Sequence, residues 1–269
     1  MNDTTVTIRL GVEELVYLLT TLGIKTLPGL GQNPVEGLTE DQAQRALAAG
    51  ANSLRARGWL ELSTDGNESR ARLDPVVVAL LGTCATAAQL LFIGRRPAAG
   101  PTSPYYVYLG PHLIVIHSSL SPGVHEFAGS VSPAEVLATL ADRLHLSDQP
   151  APAATDIFIA QTDLEAAVAA ALSQEVERAV VVLANSGVAN DASLPLIQTF
   201  QSMQATTTIT LLRQTDGRVS SSADESFSLL EGAAGFWLVR PVAGGEDTLL
   251  RVTPISAAAG QQQLAQFLP

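Results

Sequence analysis

Histidine is the side chain best suited to metal ligation or proton transfer near neutral pH. The chain has four: His112, His117, His125 and His145. His112 and His117 are five apart, so on one strand they would face opposite sides. His117 and His125 could pair across a hairpin. Glu126, beside His125, would then point to the other face, which leaves a metal ion short of a third ligand. The single cysteine, Cys84, excludes an internal disulfide and a cysteine-rich zinc site, and its apolar surroundings suit a small buried hydrophobe. A serine hydrolase would need an elbow such as GxSxG, and the chain has none. Pro28, Gly29, Gly31, Pro34 and Gly37 lack the spacing of a phosphate cradle and read as a loop. The acidic pairs Glu13-Glu14 and Glu246-Asp247 are expected to be solvated, because adjacent residues do not converge on one substrate. These residues predict no catalytic site, no metal and no cofactor. An enzyme, the alternative, would need a central cleft with converging polar groups.

Four arginines offer a different chemistry. Two helical patterns followed by RARGWLEL and a turn at Asp65-Gly66 resemble the end of a winged-helix domain. Arg55, Arg57, Arg70 and Arg72 could then touch phosphates, although in an acidic protein they make a weak field. Trp59 and Trp237 read as core anchors, with an interface hot spot as the other role for either.

Composition bounds the setting. Among 269 residues, 15% are charged and 46% apolar, and mean hydropathy is +0.23. That favours a folded chain over a disordered one, with one large or two medium domains. The net charge of −11 argues against sequence-independent affinity for nucleic acid or anionic lipid. MNDTTVTIRL lacks the features of a signal peptide, so a cytosolic protein is expected. Residues 76–93 carry no charge and reach the length of a membrane span. Gly82, Thr83, Thr86 and Gln89 interrupt the run, and a core helix leading into a core strand is the better reading.

The elements follow from periodicity and punctuation. Val6–Leu10 alternates as a strand. Leu15, Leu18, Leu19 and Leu22 form one helical stripe, closed by Gly23. Thr39 with Gln42 is a capping box for a helix whose inner stripe is Ala43, Leu47, Gly50 and Leu54. Asp74-Pro75 starts the helix that runs to about Ala88. Strands are predicted at Gln89–Gly94, Tyr105–Leu109, Leu113–His117 and Val124–Ala128, and a helix after Ser132-Pro133-Ala134-Glu135. Residues 147–154, SDQPAPAA, form a connector between a first half, 1–146, and a second, 155–269. The second half begins with strand Ile157–Ile159 and a helix capped by Thr162 and Glu165. Arg178–Leu183 stays open between helix and strand. Helix Leu194–Gln204 and strands Thr206–Arg213, Phe227–Leu230, Gly235–Val239 and Thr248–Thr253 follow, with a turn at Asp216-Gly217. Ser256 opens a last helix ending at Leu268.

The run DPVVVALLGTCATAAQLLFI has a fainter later copy. The offset is 120 at Pro75/Pro195, 123 at Leu113/Phe236, and 124 at Ser132/Ser256 and Leu144/Leu268. Slow drift is what loop insertions between matched elements produce. The expected fold is α+β: a quasi-two-fold internal duplication, with one central antiparallel sheet flanked by helical bundles in one compact domain.

With that order in view, the chain resembles the EspG family, chaperones of the ESX (type VII) secretion systems. The resemblance rests on VTIRLGVEELVYLL, LRARGWLELSTDG, DPVVVALLGTCATAAQLLFIGR, YYVYLGPHLIVIH, VHEFAGSVSPAEVLATLADRL and FWLVRP. It implies a quasi-symmetric α+β fold and binding of a PE–PPE-type client at a helical tip. By position, the contact would use the loop Arg95–Pro104, with Arg95, Arg96 and Pro97. It would also use helices Asp163–Leu183 and Leu194–Gln204, with Val168, Leu172, Val180 and Leu183. The chain departs from the family in a shorter second half, and Arg95-Arg96 is the only strong charge in that loop.

The function expected is therefore a non-enzymatic cytosolic adaptor that masks an apolar helix of a protein client, with no nucleic-acid or membrane partner. Ala166–Leu172 and Ala179–Leu183, if helical, are apolar nearly all round and need a cover. The winged-helix regulator is the second reading.

Overall fold

The computed structural model describes residues 5–269 except 26, 31–33, 35, 66–67, 148, 216–217 and 243–247. Gly31, Gly66, the turn Asp216-Gly217 and the pair Glu246-Asp247 lie outside the described residues. The fold is α+β. The chain forms two compact units, the first made of Met1–Leu90, Pro104–Ser132 and Gln214–Arg218, the second of Leu91–Ser103, Pro133–Arg213 and Val219–Pro269. The division does not fall at the connector 147–154, which lies wholly within the second unit.

In the first unit, β1 (Val6–Gly11) leads into α1 (Val12–Leu22), and α2 (Glu40–Ala56) packs on α1. Gly23 ends α1 with φ 66°, and Thr39 and Gln42 form the capping box of α2. Gly50 lets these helices touch: a Cβ there would lie 2.1 Å from the Glu13 carbonyl oxygen. A hairpin of β2 (Leu60–Asp65) and β3 (Glu68–Leu73) follows. Asp74 then caps α3 (Pro75–Thr86) by accepting from the amides of Val76 and Val77. The uncharged run becomes this helix and β4 (Gln89–Pro97), with Val77, Leu80, Leu81, Leu90, Leu91 and Ile93 buried. Among the described residues no helix is long and apolar enough to cross a membrane.

β5 (Ser103–Leu109), β6 (Ile114–Ser121) and β7 (Val124–Ser130) make an antiparallel meander, and β1 pairs antiparallel with β7, in the order β1-β7-β6-β5. Alternation along β7 sets His125, Phe127 and Gly129 on one face. Leu80 of α3 sits against that face at Gly129, where a Cβ would lie 2.4 Å from a Leu80 methyl.

The second unit carries the order β4-β9-β10-β11-β12-β8. Its strands are β8 (Ile157–Ala160), β9 (Ala205–Thr215), β10 (Arg218–Gly232), β11 (Gly235–Val242) and β12 (Leu249–Ile255). Pairs β10/β11, β11/β12 and β12/β8 are antiparallel. Helices α5 (Gln161–Leu172), α6 (Val176–Asn185) and α7 (Asn190–Gln201) cover one face, packed on Leu230, Trp237, Val239, Leu250 and Val252. Strand alternation turns Arg240 the opposite way from Trp237 and Val239. There its guanidinium reaches Gln263 of α8 (Ala257–Ala265), while Phe227 stacks on Phe267 at 5.8 Å. Helix α4 (Pro133–Arg143) packs on α8. Ser256 caps α8, accepting from Ala259.

Helix, four strands and helix thus occur twice in chain order, α3 to α4 and α7 to α8. Two helix starts differ from expectation, and one open segment is decided. Pro195 does not start its helix as Pro75 does, because α7 begins at Asn190 and carries Pro195 within it. Thr162 lies inside α5, whose N-cap is Ala160 without a side-chain bond. Residues 178–183 are helical, part of α6, with Ala179 and Leu183 turned into the core at i and i+4.

Candidate binding groove

The sequence-predicted residues scatter once the chain folds. Arg95, Arg96 and Pro97 are not in a loop, because β4 extends through Pro97 and the connection to β5 is only 98–102. Arg95 is held inside the second unit by an ion pair with buried Glu231 at 2.8 Å. Leu183 is fully buried among α5, α6 and α7, and Val180 is half-buried against the same cluster. A partner could reach Leu183 only by opening the bundle, so it belongs to the core.

Val168 and Leu172 do come together. They lie on one side of α5, one helical turn apart, with Leu164 a further turn back. With Leu230, Val239 and Leu250 they line a groove of about 640 Å³. Its floor continues over Thr206, Ser226 and Ser228. The hydroxyls of β9 and β10 bond one another: Thr208 with Ser228 at 3.3 Å and Thr210 with Ser226 at 2.8 Å. Such pairs satisfy their polar atoms across the strands and leave the groove mainly apolar in character. Leu172, at its rim, is 56% exposed.

Two more apolar side chains stand out on this bundle, Val181 of α6 and Leu194 of α7, each 54% exposed. Sequence reasoning missed these and the strand side of the groove. The signal was there in part: Leu230, Val239 and Leu250 sit in strands already predicted, but which strand face a helix would cover is not written in alternation.

The arginines of the winged-helix reading divide. Arg57 donates to buried Glu14 at 3.0 Å and to the Arg9 carbonyl, and its guanidinium lies 3.6 Å over the Trp59 ring. Trp59 is therefore half-buried beneath a cation. Arg55 and Arg72 are exposed, and the Arg70 side chain lies outside the described ones. Glu14 corrects the expectation of a solvated acidic pair: it accepts from the Gly11 amide, Ser53 and Arg57, while Glu13 stays exposed. Trp237 is a core anchor, fully buried, its indole N–H donated to Thr199 at 3.0 Å.

His117 and His125 pair as the hairpin suggested, with Nε2 and Nδ1 3.0 Å apart. Phe127 stacks on His117 at 4.5 Å, and Tyr106 and Tyr108 flank it. The Tyr108 hydroxyl donates to the Pro28 carbonyl, and Gly29 lies so close over Tyr106 that a Cβ would sit 2.4 Å from its ring. Burial, then the charge of His125, pushes His117 down to about 3, and burial lowers His125 too. Both rings are neutral near pH 7. Glu126 faces away and pairs with Arg9 at 3.0 Å. His112 and His145 are exposed, His145 at φ 56° just beyond α4. Among the described residues no three His, Cys, Asp or Glu side chains converge to hold a metal ion. Cys84 is free and buried, its thiol pushed well up by desolvation.

No family model and no curated protein matches this sequence. Among solved structures, the chain is similar to the Mycobacterium tuberculosis type VII secretion system chaperone EspG5, determined in complex with a PE25–PPE41 dimer. The likeness covers 98% of this chain and 97% of that chain, with a TM-score of 0.68 and 15% sequence identity. At that identity it establishes the fold, which is EspG-like.

Proposed function

We propose that this chain is a non-enzymatic protein-binding adaptor of the chaperone kind, which covers an apolar helical segment of a client of PE–PPE type. The observation that carries this reading is the groove between α5 and strands β9 to β12, with Leu172 left exposed at its rim. Covering the 56% of Leu172 that remains in water would recover about 1–1.5 kcal/mol, roughly half the value for burying a fully exposed leucine. An apolar trough beside a ridge with four-residue spacing suits a helix laid in a groove. The EspG-like fold supports the same reading.

The test is co-expression with a PE–PPE-type heterodimer, followed by capture through a tag on this chain. Wild type should retain the heterodimer, and Leu172→Asp should release it. Val219→Asp, at an exposed position that does not line the groove, should behave as wild type. Capture by Leu172→Asp equal to wild type, or no capture by either, sinks the proposal.

A further inference from the structure

The floor of this groove has a counterpart in the first unit, and there the chain itself covers it. In each unit an edge strand runs directly into a helix, β1 into α1 and β8 into α5. The strand registers correspond. Leu10 lies opposite His125, and Ile159 lies opposite Leu250. Phe127 pairs with His117 and His117 with Tyr106, just as Val252 pairs with Val239 and Val239 with Ser228. Tyr108 and Leu230 follow two residues further along their strands. Tyr106, Tyr108, His117 and His125 therefore hold the places that Ser228, Leu230, Val239 and Leu250 hold in the groove floor.

What differs is the connection after the helix. From α1 to α2 it spans 23–39, and from α5 to α6 only 173–175. The longer connection seats residues 27–30 on the first floor. Leu27 is buried, and the Pro28 carbonyl accepts from the Tyr108 hydroxyl. Gly29 lies flat on Tyr106, where a Cβ would run into the ring. The four residues make a turn, with the Leu30 amide donated to the Leu27 carbonyl at 3.2 Å and Gly29 at φ 89°. In the short connection the amides of Ser173, Gln174 and Glu175 all bond back to α5. It stays on its own helix, and the second floor is left open.

We infer that the groove floor takes a leucine–proline turn of another protein, seated as residues 27–30 are seated in the first unit. This rests on the adaptor reading and names the part of the client that lies on the floor. The client's apolar helix keeps the ridge of α5 at Leu172. Two exchanges in the floor set how the guest differs from 27–30. Ser228 stands in the place of Tyr106, so a side chain fits where the first unit requires glycine. Leu230 stands in the place of Tyr108, so the contact at the proline is apolar and no hydroxyl holds its carbonyl.

The test uses the whole chain with isotope-labelled leucine and valine methyl groups, followed by NMR as peptide is added to millimolar concentration. The peptides are IKTLPGL, which is the chain's own 24–30, its relative IKTLPLL, and a helical peptide with one leucine stripe. Both turn peptides should move the Val239 and Leu250 methyls, with IKTLPLL bound at least as tightly as IKTLPGL. In Ser228→Tyr, which copies Tyr106, IKTLPLL should fall about tenfold or more behind IKTLPGL, the size expected when a leucine side chain loses its seat. The shifts in wild type stand as a test without that variant. No shift with either turn peptide, or tighter binding of the helical peptide at Val239 and Leu250, overturns the inference. Shifts confined to Leu10 and Leu27 place the peptide on the first floor and overturn it too. In each of those cases capture of the co-expressed heterodimer decides the adaptor reading on its own.

Discussion

Nε2 of His117 lies 3.0 Å from Nδ1 of His125, between the stacked ring of Phe127 and the two tyrosines of β5. The pair is stable only while neutral. In the unfolded chain each imidazole takes up its proton near pH 6.5. In the folded chain His117 resists until about 3, and His125 is shifted in the same direction.

Stability should therefore fall as pH drops from about 7 towards 3, because over that window the unfolded state binds more protons. The slope contributed by His117 is at most about 1.4 kcal/mol per pH unit. Urea titrations of wild type and His117→Phe at several pH values isolate it from the carboxylates. The variant should lose part of the acid sensitivity. Parallel pH profiles for the two proteins would contradict the assignment.

Trp237 donates its buried indole N–H to the Thr199 hydroxyl, which itself donates to the Pro195 carbonyl at 3.0 Å. Thr199→Val keeps the shape and removes the acceptor. The orphaned donor should cost about 1–3 kcal/mol. A lowered urea midpoint at unchanged slope checks it, and a midpoint equal to wild type refutes it.

Arg95 and Glu231 form an ion pair with both partners largely buried. Glu231→Leu should destabilise by about 3–5 kcal/mol, because it strands the arginine, and Arg95→Met combined with Glu231→Leu should recover most of that loss. Chemical denaturation of the single and double variants reads the difference. A double variant no better than the single would show that the pair is more than a matched burial.

Two helical glycines should respond in opposite ways to alanine. At Gly50 the new methyl meets the Glu13 carbonyl, whereas at Gly82 nothing lies within 4 Å. Gly82→Ala should stabilise by up to about 1 kcal/mol through helix propensity. Gly50→Ala should destabilise despite the same gain. Thermal melts of the two variants settle it, and a shift of the same sign in both would not fit the packing of α1 on α2.

Much of this was legible before folding. Local rules act over a few residues, so Gly23, Thr39, Asp74 and Ser256 mark element ends where the structure has them. Alternation placed most of the strands, though not β3 or the first half of β10, and the order of features pointed to the EspG-like fold. Thr162 misled because the helix starts at Gln161 and takes it into the first turn, and Pro195 because α7 begins five residues earlier and carries the proline within it, at the cost of one backbone hydrogen bond.

What the sequence determined alone was element type, order and the apolar stripe of each element, since these depend on backbone preference and spacing. Tertiary structure decided which apolar residues stay in water. Leu172 and Leu183 look alike in the chain, yet one rims a groove and the other is sealed in the core. Arg95 looks like a free loop charge, yet Glu231, 136 residues away, holds it. Exposure and pairing are set by neighbours distant in sequence, and no local spacing encodes which of those neighbours arrive.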